Sequence, residues 1–162
     1  MKIANPEDLG SVVNIYNKAI EKMNNNGIHQ WDSLYPNEEI LYKDILNNQM
    51  FLIEIDNKIA SIFVLNQKCD KEYNDGDWEY KNASFFVIHR LCVNPDFQGK
   101  GVGRMTMELI ENYLREKKIE SIRLDTFSQN PIALKLYEGL GYKRVGEVNW
   151  RKGLFYLLEK KI

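Results

Sequence analysis

Three glycines at alternate positions, Gly99, Gly101 and Gly103, lie where an apolar stretch gives way to a helical pattern, in the segment QGKGVGR. Glycine has no Cβ, so it accepts positive φ angles and lets another group come close to the backbone. Successive main-chain N–H groups at the start of a helix bind anions, and the helix dipole adds to that attraction. Lys100 and Arg104 would add positive charge to the same turn. The segment therefore predicts a site for a phosphorylated ligand.

A glycine-rich turn at this place in a chain can also serve a dinucleotide fold, a Walker loop or a purely structural junction. A dinucleotide-binding fold needs the spacing G-x-G-x-x-G, whereas this turn has G-x-G-x-G. A Walker phosphate loop needs Gly-Lys followed by Ser or Thr, and the chain contains no such tripeptide. The spacing thus excludes both nucleotide motifs. A tight turn whose glycines merely fit a crowded strand-to-helix junction stays open on spacing alone.

Composition and charge limit the class of protein. A chain of 162 residues with 44% hydrophobic and 28% charged residues is expected to form a single domain over residues 1–162. A net charge of -1 gives no general attraction to nucleic acid or to an anionic membrane, so neither is expected as a partner. Cys69 and Cys92 match no metal spacing and no disulfide framework. We therefore expect no metal and a reducing, cytoplasmic location.

The apolar periodicity predicts which elements surround the glycine turn. The predicted order is β-α-α-β-β-β-α-β-α-β-β. Asn130 followed by Pro131 predicts the start of a helix with Asn130 as its N-cap. Trp78 is expected on an exposed hairpin within the polar connection 69–82. The helix after the glycine turn is expected to bury Val102, Met105, Leu109 and Tyr113.

These elements predict an α+β fold with α/β/α layers. The central sheet is expected to be mixed but mostly antiparallel, with about seven strands and with helices on both faces. The segment SFFVIHRLCV is apolar on both alternating faces apart from His89 and Arg90, which is typical of a central strand.

Two motifs in this order resemble the signatures of one family. The segment QGKGVG is similar to the Q/R-x-x-G-x-G/A signature of the GNAT superfamily of N-acetyltransferases. The segment NPIALKLYEGLGY resembles the second signature of that family, N-x-x-A-x-x-L/F-Y-x-x-x-G-F/Y. The resemblance is strongest from residue 85 to residue 148. It implies a GNAT-like sheet that is splayed between the fourth and fifth strands, and direct transfer of an acetyl group from acetyl-CoA to a primary amine.

The resemblance also implies which residues bind the cofactor. The turn would hold the pyrophosphate of coenzyme A through backbone N–H groups and basic side chains, at Gln98, Gly99, Lys100, Gly101, Val102, Gly103 and Arg104. The preceding strand would separate from its neighbour at a bulge and pair with the pantetheine arm as an added strand does, through Leu91, Cys92 and Val93. Asn130 would lie near the coenzyme in addition to capping its helix.

Acetyl transfer to an amine needs a neutral amine and a proton for the departing thiolate. A free alkyl amine has a pKa of about 10, so only about one molecule in a thousand is neutral at pH 7. Tyr137 occupies the family's tyrosine position and is the candidate acid, although it also fits a packing stripe. His89 is the candidate base because an unperturbed histidine has a pKa of about 6.5. The alternatives are a hydrogen-bonded structural histidine and a water chain ending on Glu54 or Glu147.

The resemblance also implies where the amine acceptor binds. In the family the acceptor site is lined by the segment that corresponds to GIHQWDSLYPNEE, where Trp31, Asp32 and Tyr35 could hold an ammonium group through aromatic rings and a carboxylate. Trp31 could equally anchor the loop to the core.

A covalent acetyl-cysteine at Cys92 is disfavoured, because a strand cysteine is usually a small buried hydrophobe. The acceptor is expected to be a small-molecule or peptide amine, and a homodimer is compatible with the family. The alternative function is a non-catalytic coenzyme A-binding or sensing module on the same fold.

Overall fold

The computed structural model describes residues 1–162. Its order of helices and strands is the one predicted from the sequence. The seven strands are β1 (Lys2–Ile3), β2 (Met50–Ile55), β3 (Lys58–Asn66), β4 (Phe85–Val93), β5 (Ser121–Phe127), β6 (Lys143–Trp150) and β7 (Gly153–Lys161). The four α-helices are α1 (Leu9–Asn25), α2 (Glu38–Leu46), α3 (Val102–Glu116) and α4 (Pro131–Glu138). Short 3-10 helices span Pro6–Asp8, Lys71–Asp75 and Pro95–Phe97.

The strands form one sheet in the order β1-β2-β3-β4-β5-β7-β6. The pairs β1–β2, β2–β3, β5–β7 and β7–β6 are antiparallel, whereas β4 and β5 are parallel. The predicted seven-stranded, mixed and mostly antiparallel sheet is therefore confirmed. None of the four α-helices has both the length and the apolar character that crossing a membrane requires.

The parallel ladder between β4 and β5 is short. It begins at Phe85 opposite Ser121 and ends at Ile88 opposite Leu124, although both strands continue beyond that point. Two residues later, Arg90 has a φ of 52°, a left-handed conformation that is rare for a residue with a side chain and interrupts the extended strand. This irregularity of β4 is called the bulge below. The predicted splay between the fourth and fifth strands is confirmed, and the bulge lies at Arg90.

By its internal contacts the chain divides into two units, residues 1–65 with 90–106 and residues 66–89 with 107–162. Three elements, β3, β4 and α3, continue from one unit into the other. The core of the first unit joins one face of α1 to α2 and to the inner residues of β2 and β3. Its members include Val12, Ile15, Tyr16, Ala19, Leu41, Ile45, Leu52 and Ile62.

Helix α3 buries a different face from the one predicted. Its buried apolar residues are Val102, Met107, Ile110 and Leu114. Leu109 is 37% exposed, and Met105 and Tyr113 are partly exposed. The prediction of Met105, Leu109 and Tyr113 as a buried stripe was therefore wrong. The two apolar stripes are neighbours on the helix surface, about 100° apart, and only tertiary packing selects between them.

A pair of alanine variants tests this assignment. Met107→Ala removes a fully buried side chain, so we expect the free energy of unfolding to fall by about 2–4 kcal/mol. Leu109→Ala on the exposed side should change it by no more than about 0.5 kcal/mol. Urea denaturation followed by circular dichroism measures both. A larger loss from Leu109→Ala than from Met107→Ala would contradict the observed face.

Candidate functional site

The glycine turn adopts the left-handed geometry that its sequence predicts. Gly99 has a φ of +77° and Gly101 a φ of +78°, and a Cβ built at either position meets no atom within 4 Å. The backbone conformation, and not a crowded junction, is therefore what requires glycine here. Gly103 lies inside the first turn of α3 and does not have a positive φ.

The turn leads directly into the N-terminus of α3. The N–H of Met105 donates to the carbonyl of Gly101 at 3.1 Å and opens the helix. N–H groups in the first turn of any α-helix have no acceptor four residues back, and they carry the positive end of the helix dipole. The first turn of α3 contains no acidic residue, and Arg104 is exposed there. This arrangement can hold an anion without requiring a positively charged protein.

The second basic side chain of the turn lies along the loop. Lys100 Nζ donates to the carbonyl of Asp96 at 2.9 Å and lies 5.6 Å from the ring centre of Phe97. Because both contacts are exposed, the lysine can exchange them for a ligand phosphate at small cost.

Two polar side chains fix the backbone between the bulge and the turn. The N–H of Asn94 donates to the carbonyl of Ala60 at 2.9 Å, and Asn94 Nδ2 donates to the carbonyl of Ile59 at 2.7 Å. The end of β4 is thereby attached to β3. Gln98 Nε2 donates to the carbonyl of Val93 at 3.1 Å, so the first residue of the motif closes back onto the strand.

Cys92 is a core residue of the first unit. Burial raises the pKa of its thiol to about 12, so it is not a thiolate at neutral pH. This agrees with the role of a small buried hydrophobe. The neighbouring Leu91 and Val93 are partly exposed.

Arg90, the bulge residue, is a further candidate, to which the motifs of the sequence assign no role. Its guanidinium donates to Asp44 Oδ1 at 2.8 Å and to Tyr35 Oη at 2.9 Å, and its carbonyl accepts from Tyr16 Oη at 2.6 Å. Burial opposes the charge, but Tyr35 and Asp44 raise the pKa of Arg90. The side chain and the main chain of the bulge are therefore both held in place. The signal in the sequence was a charged residue inside an otherwise apolar strand.

The three predicted acceptor residues between α1 and α2 have different surroundings. Trp31 is buried in the core with its ring 5.5 Å from that of Tyr16. Asp32 Oδ1 accepts the N–H groups of Leu34 and Tyr35 at 3.0 and 3.2 Å, which shapes the loop as an Asx turn. Tyr35 is 38% exposed and contacts Arg90. The acceptor roles of Trp31, Asp32 and Tyr35 stay predictions.

In the second unit, Asn130 caps the start of α4 and Tyr137 lies in its last turn. Asn130 Oδ1 accepts the N–H of Ala133 at 3.1 Å, so the predicted N-cap is confirmed. Tyr137 is 7% exposed, and its ring meets that of Tyr142 edge-on at 5.9 Å. Burial, and then the charge of Asp125, raise the pKa of Tyr137. Its hydroxyl therefore keeps its proton at neutral pH, as a proton donor must.

His89 is held by two acceptor oxygens. Its Nε2 lies 3.0 Å from Asn66 Oδ1 and 3.1 Å from the carbonyl of Lys68. Asn66 Oδ1 also accepts the N–H of Lys68 at 2.8 Å, which fixes the orientation of that amide. Because both neighbours of Nε2 are acceptors, Nε2 carries the ring proton and Nδ1 is the nitrogen that can accept another.

The two carboxylates considered as alternatives to His89 both have basic partners. Glu54 Oε1 lies 2.8 Å from Lys2 Nζ, and Glu147 forms an ion pair with Arg144. A third carboxylate, that of Asp125 in β5, accepts a hydrogen bond at Oδ2 from Tyr73 Oη at 2.9 Å.

The prediction of Trp78 on an exposed hairpin was wrong. Trp78 is 7% exposed, its ring stacks on Tyr73 at 5.5 Å, and its Nε1 donates to the carbonyl of Tyr73 at 2.7 Å. The polar residues around Trp78 predict exposure, but its ring is buried against Tyr73 of the 3-10 helix at Lys71–Asp75.

Alanine substitution at two glycines separates backbone conformation from packing. Gly101→Ala places a Cβ in open space but at a positive φ, so we expect the free energy of unfolding to fall by about 1–2 kcal/mol. Gly10→Ala also enters open space, but within α1, and should stabilise the protein by about 0.5–1 kcal/mol. Equal effects of the two variants in thermal and urea denaturation would contradict the assigned role of Gly101.

Comparison with known proteins identifies a family that matches the glycine turn and α4. The model of the acetyltransferase (GNAT) family matches residues 16–142. The S-(2-succino)cysteine N-acetyltransferase of Bacillus subtilis (strain 168) is 25% identical over 162 residues, which cover 99% of this chain and 93% of that protein.

Solved structures share the fold. A GNAT-family acetyltransferase from Streptococcus agalactiae superposes with a TM-score of 0.88 at 23% identity, covering 99% of this chain and 94% of that one. A structure of YncA from Salmonella typhimurium, a protein described as an acetyltransferase with its cofactor acetyl-CoA, gives a TM-score of 0.68 at 15% identity, covering 99% and 91% of the two chains.

The family model covers most of the chain, including the glycine turn and α4. The protein therefore belongs to the acetyltransferase (GNAT) family, and the enzyme class predicted from its sequence, an acetyl-CoA-dependent acyltransferase, is confirmed.

Proposed function

We propose that the protein transfers the acetyl group of acetyl-CoA directly to a primary amine, within a complex that holds both substrates. The observation that carries this proposal is the pair of left-handed glycines, Gly99 and Gly101, immediately before α3 in a chain of the GNAT family. Acetyl-CoA, when bound, supplies an activated thioester with an electrophilic acetyl carbon.

The first unit carries the residues proposed to bind the cofactor. The N–H groups of the turn from Gln98 to Arg104, together with the side chains of Lys100 and Arg104, would bind the pyrophosphate. Main-chain groups of Leu91, Cys92 and Val93 would pair with the pantetheine arm, because β4 leaves its ladder with β5 at Ile88. Asn130 is proposed to bind the coenzyme as well as capping α4.

Tyr137 is proposed as the proton donor. Its raised pKa keeps the hydroxyl protonated, so it can donate a hydrogen bond to the sulfur as negative charge develops there. An alkyl thiol has a pKa of about 8.5, well below that of this tyrosine, so the hydroxyl stabilises the departing thiolate mainly as a hydrogen-bond donor.

His89 is proposed as the base that receives the amine proton. With its Nε2 proton directed at Asn66 and Lys68, the ring presents Nδ1 as its basic nitrogen. Those hydrogen bonds also stabilise the imidazolium that forms when Nδ1 takes up a proton.

The kind of acceptor is proposed from the relatives. One curated relative is named for S-(2-succino)cysteine, and others are named for an alanine of ribosomal protein bS18. Both small-molecule and protein amines thus occur as acceptors among them, and this chain is proposed to take one of these two kinds.

A screen of amines tests the proposal. The purified protein is incubated with acetyl-CoA and a panel of amino acids, polyamines, arylalkylamines and peptides with free N-termini. Release of free thiol and the gain of one acetyl group by mass spectrometry are then recorded. Thiol release together with an acetylated product is expected for at least one amine. Tight coenzyme A binding without turnover on any panel member would favour the sensing module instead.

Removing one hydroxyl tests the proton donor. We expect Tyr137→Phe to lower kcat on the order of a hundredfold, because losing one hydrogen-bond donor to a developing negative charge typically costs that much, while coenzyme A binding changes less than about twofold. Because the pKa of Tyr137 is raised above 10.0, its deprotonation should not reduce the wild-type rate below about pH 10.

Tyr142→Phe is the matched control, since it removes a buried hydroxyl from the same aromatic pair. It should retain kcat within about twofold. A Tyr137→Phe enzyme with wild-type kcat, or a Tyr142→Phe enzyme that loses as much, would remove Tyr137 from this role.

A further inference from the structure

The connection between β3 and β4 folds back onto β6. Residues 70–78, here called the cover segment, attach to that strand through the N–H of Asp77, which donates to the carbonyl of Val145 at 2.7 Å. A Cβ on Gly146 would come within 3.1 Å of Gly76 Cα, closer than packed atoms normally lie. The two glycines are therefore what allows this close approach of two backbones.

The cover segment places Tyr73 against the sheet. Tyr73 is 3% exposed, with its ring 5.5 Å from that of Trp78 and 6.5 Å from that of Trp150. Its hydroxyl donates to Asp125 Oδ2 at 2.9 Å. Burial, and then the charge of Asp125, raise the pKa of Tyr73 well above 10.0, so the hydroxyl stays a donor. The carboxylate of Asp125 is thus held in one orientation by a buried group.

Asp125 lies at one end of a row of aromatic side chains. It lies two residues before Phe127 on the same face of β5, and Phe127 pairs directly with Phe155 of β7 at a ring distance of 5.2 Å. The ring of Trp150 meets that of Phe155 edge-on at 5.1 Å. Asp125 and Trp150 are both partly exposed. Tyr73 contacts both groups, since its hydroxyl binds Asp125 and its ring lies 6.5 Å from that of Trp150. A carboxylate together with aromatic rings is a combination that favours organic cations.

Asp125 also influences the proposed proton donor. Its charge is the second cause, after burial, of the raised pKa of Tyr137. The carboxylate of Asp125 therefore acts electrostatically on Tyr137, the proposed proton donor.

We propose that Asp125, oriented by Tyr73, whose ring lies between this carboxylate and the indole of Trp150, binds the ammonium group of the acceptor, which selects amines carried on an apolar chain or ring. This assignment rests on the proposed function, since it names the substrate class of the amine in that reaction. An amine in solution at neutral pH is almost entirely the ammonium form, and that is the form a carboxylate captures. An acceptor that carries a carboxylate beside its amine would be repelled by Asp125. Asp125 is a binding residue in this proposal, and Tyr73 is a positioning residue.

Equilibrium binding of a charged and an uncharged probe tests the assignment without requiring turnover. The probes are 2-phenylethylamine and 2-phenylethanol, which share a ring and a chain and differ in charge. Each is titrated into the full chain saturated with coenzyme A, by calorimetry or ligand-observed NMR. We expect Asp125→Asn to weaken binding of the amine at least about tenfold and to leave binding of the alcohol unchanged.

Two further variants refine the test. Tyr73→Phe keeps the ring stack and removes only the hydroxyl that orients Asp125, so the amine should bind about threefold more weakly and the alcohol as before. Glu138→Gln removes an exposed carboxylate at the end of α4 and should change neither affinity. Circular dichroism and thermal midpoints check folding. If Asp125→Asn does not fold, Tyr73→Phe decides.

Several outcomes would overturn the assignment. They are no binding of the amine to the wild-type protein, equal weakening of amine and alcohol, or a loss in Glu138→Gln as large as that in Asp125→Asn. Charge-dependent binding of the amine without acetylation would instead count against the proposed transfer to this amine and leave the binding site intact. The two proposals can therefore fail separately.

Discussion

A strand that leaves its ladder must find new partners for its main-chain polar groups, and this requirement governs the region around the bulge. After Ile88 the ladder between β4 and β5 ends. The carbonyl of Arg90 is then taken by Tyr16, and that of Val93 by the side chain of Gln98. Buried backbone groups without partners are costly, so these two side-chain hydrogen bonds stabilise the part of β4 that has left the ladder.

The same region shows how a protein of nearly neutral charge can be suited to a polyanion. The net charge is -1, and the positive potential at the glycine turn comes from oriented peptide groups and two local basic side chains. Such dipoles act over a short range, so they leave the rest of the surface unaffected. Positive φ angles at Gly99 and Gly101 are the conformational requirement for this arrangement.

Buried and partly buried charges in the two units follow one physical rule. Arg90 is paired with Asp44 in the first unit, and the carboxylate of Asp125 accepts a hydrogen bond from a buried tyrosine in the second. Removing a charge from water is costly unless hydrogen bonds compensate it, so each of these groups is fixed in orientation. Charged groups held in this way are enriched at functional sites.

The sequence by itself determined whatever depends on neighbours along the chain. Element order, the Asn130 cap, the left-handed glycines and the family motifs are all set by local backbone preferences, and the structure agrees with each of them. Tertiary structure decided which face of α3 is buried and that Trp78 turns inward. It also formed the pairs Arg90–Asp44, 46 residues apart, and Tyr73–Asp125, 52 residues apart. Periodicity fixes the spacing of side chains around an element, but only packing against distant residues fixes which side faces the core and which polar groups meet.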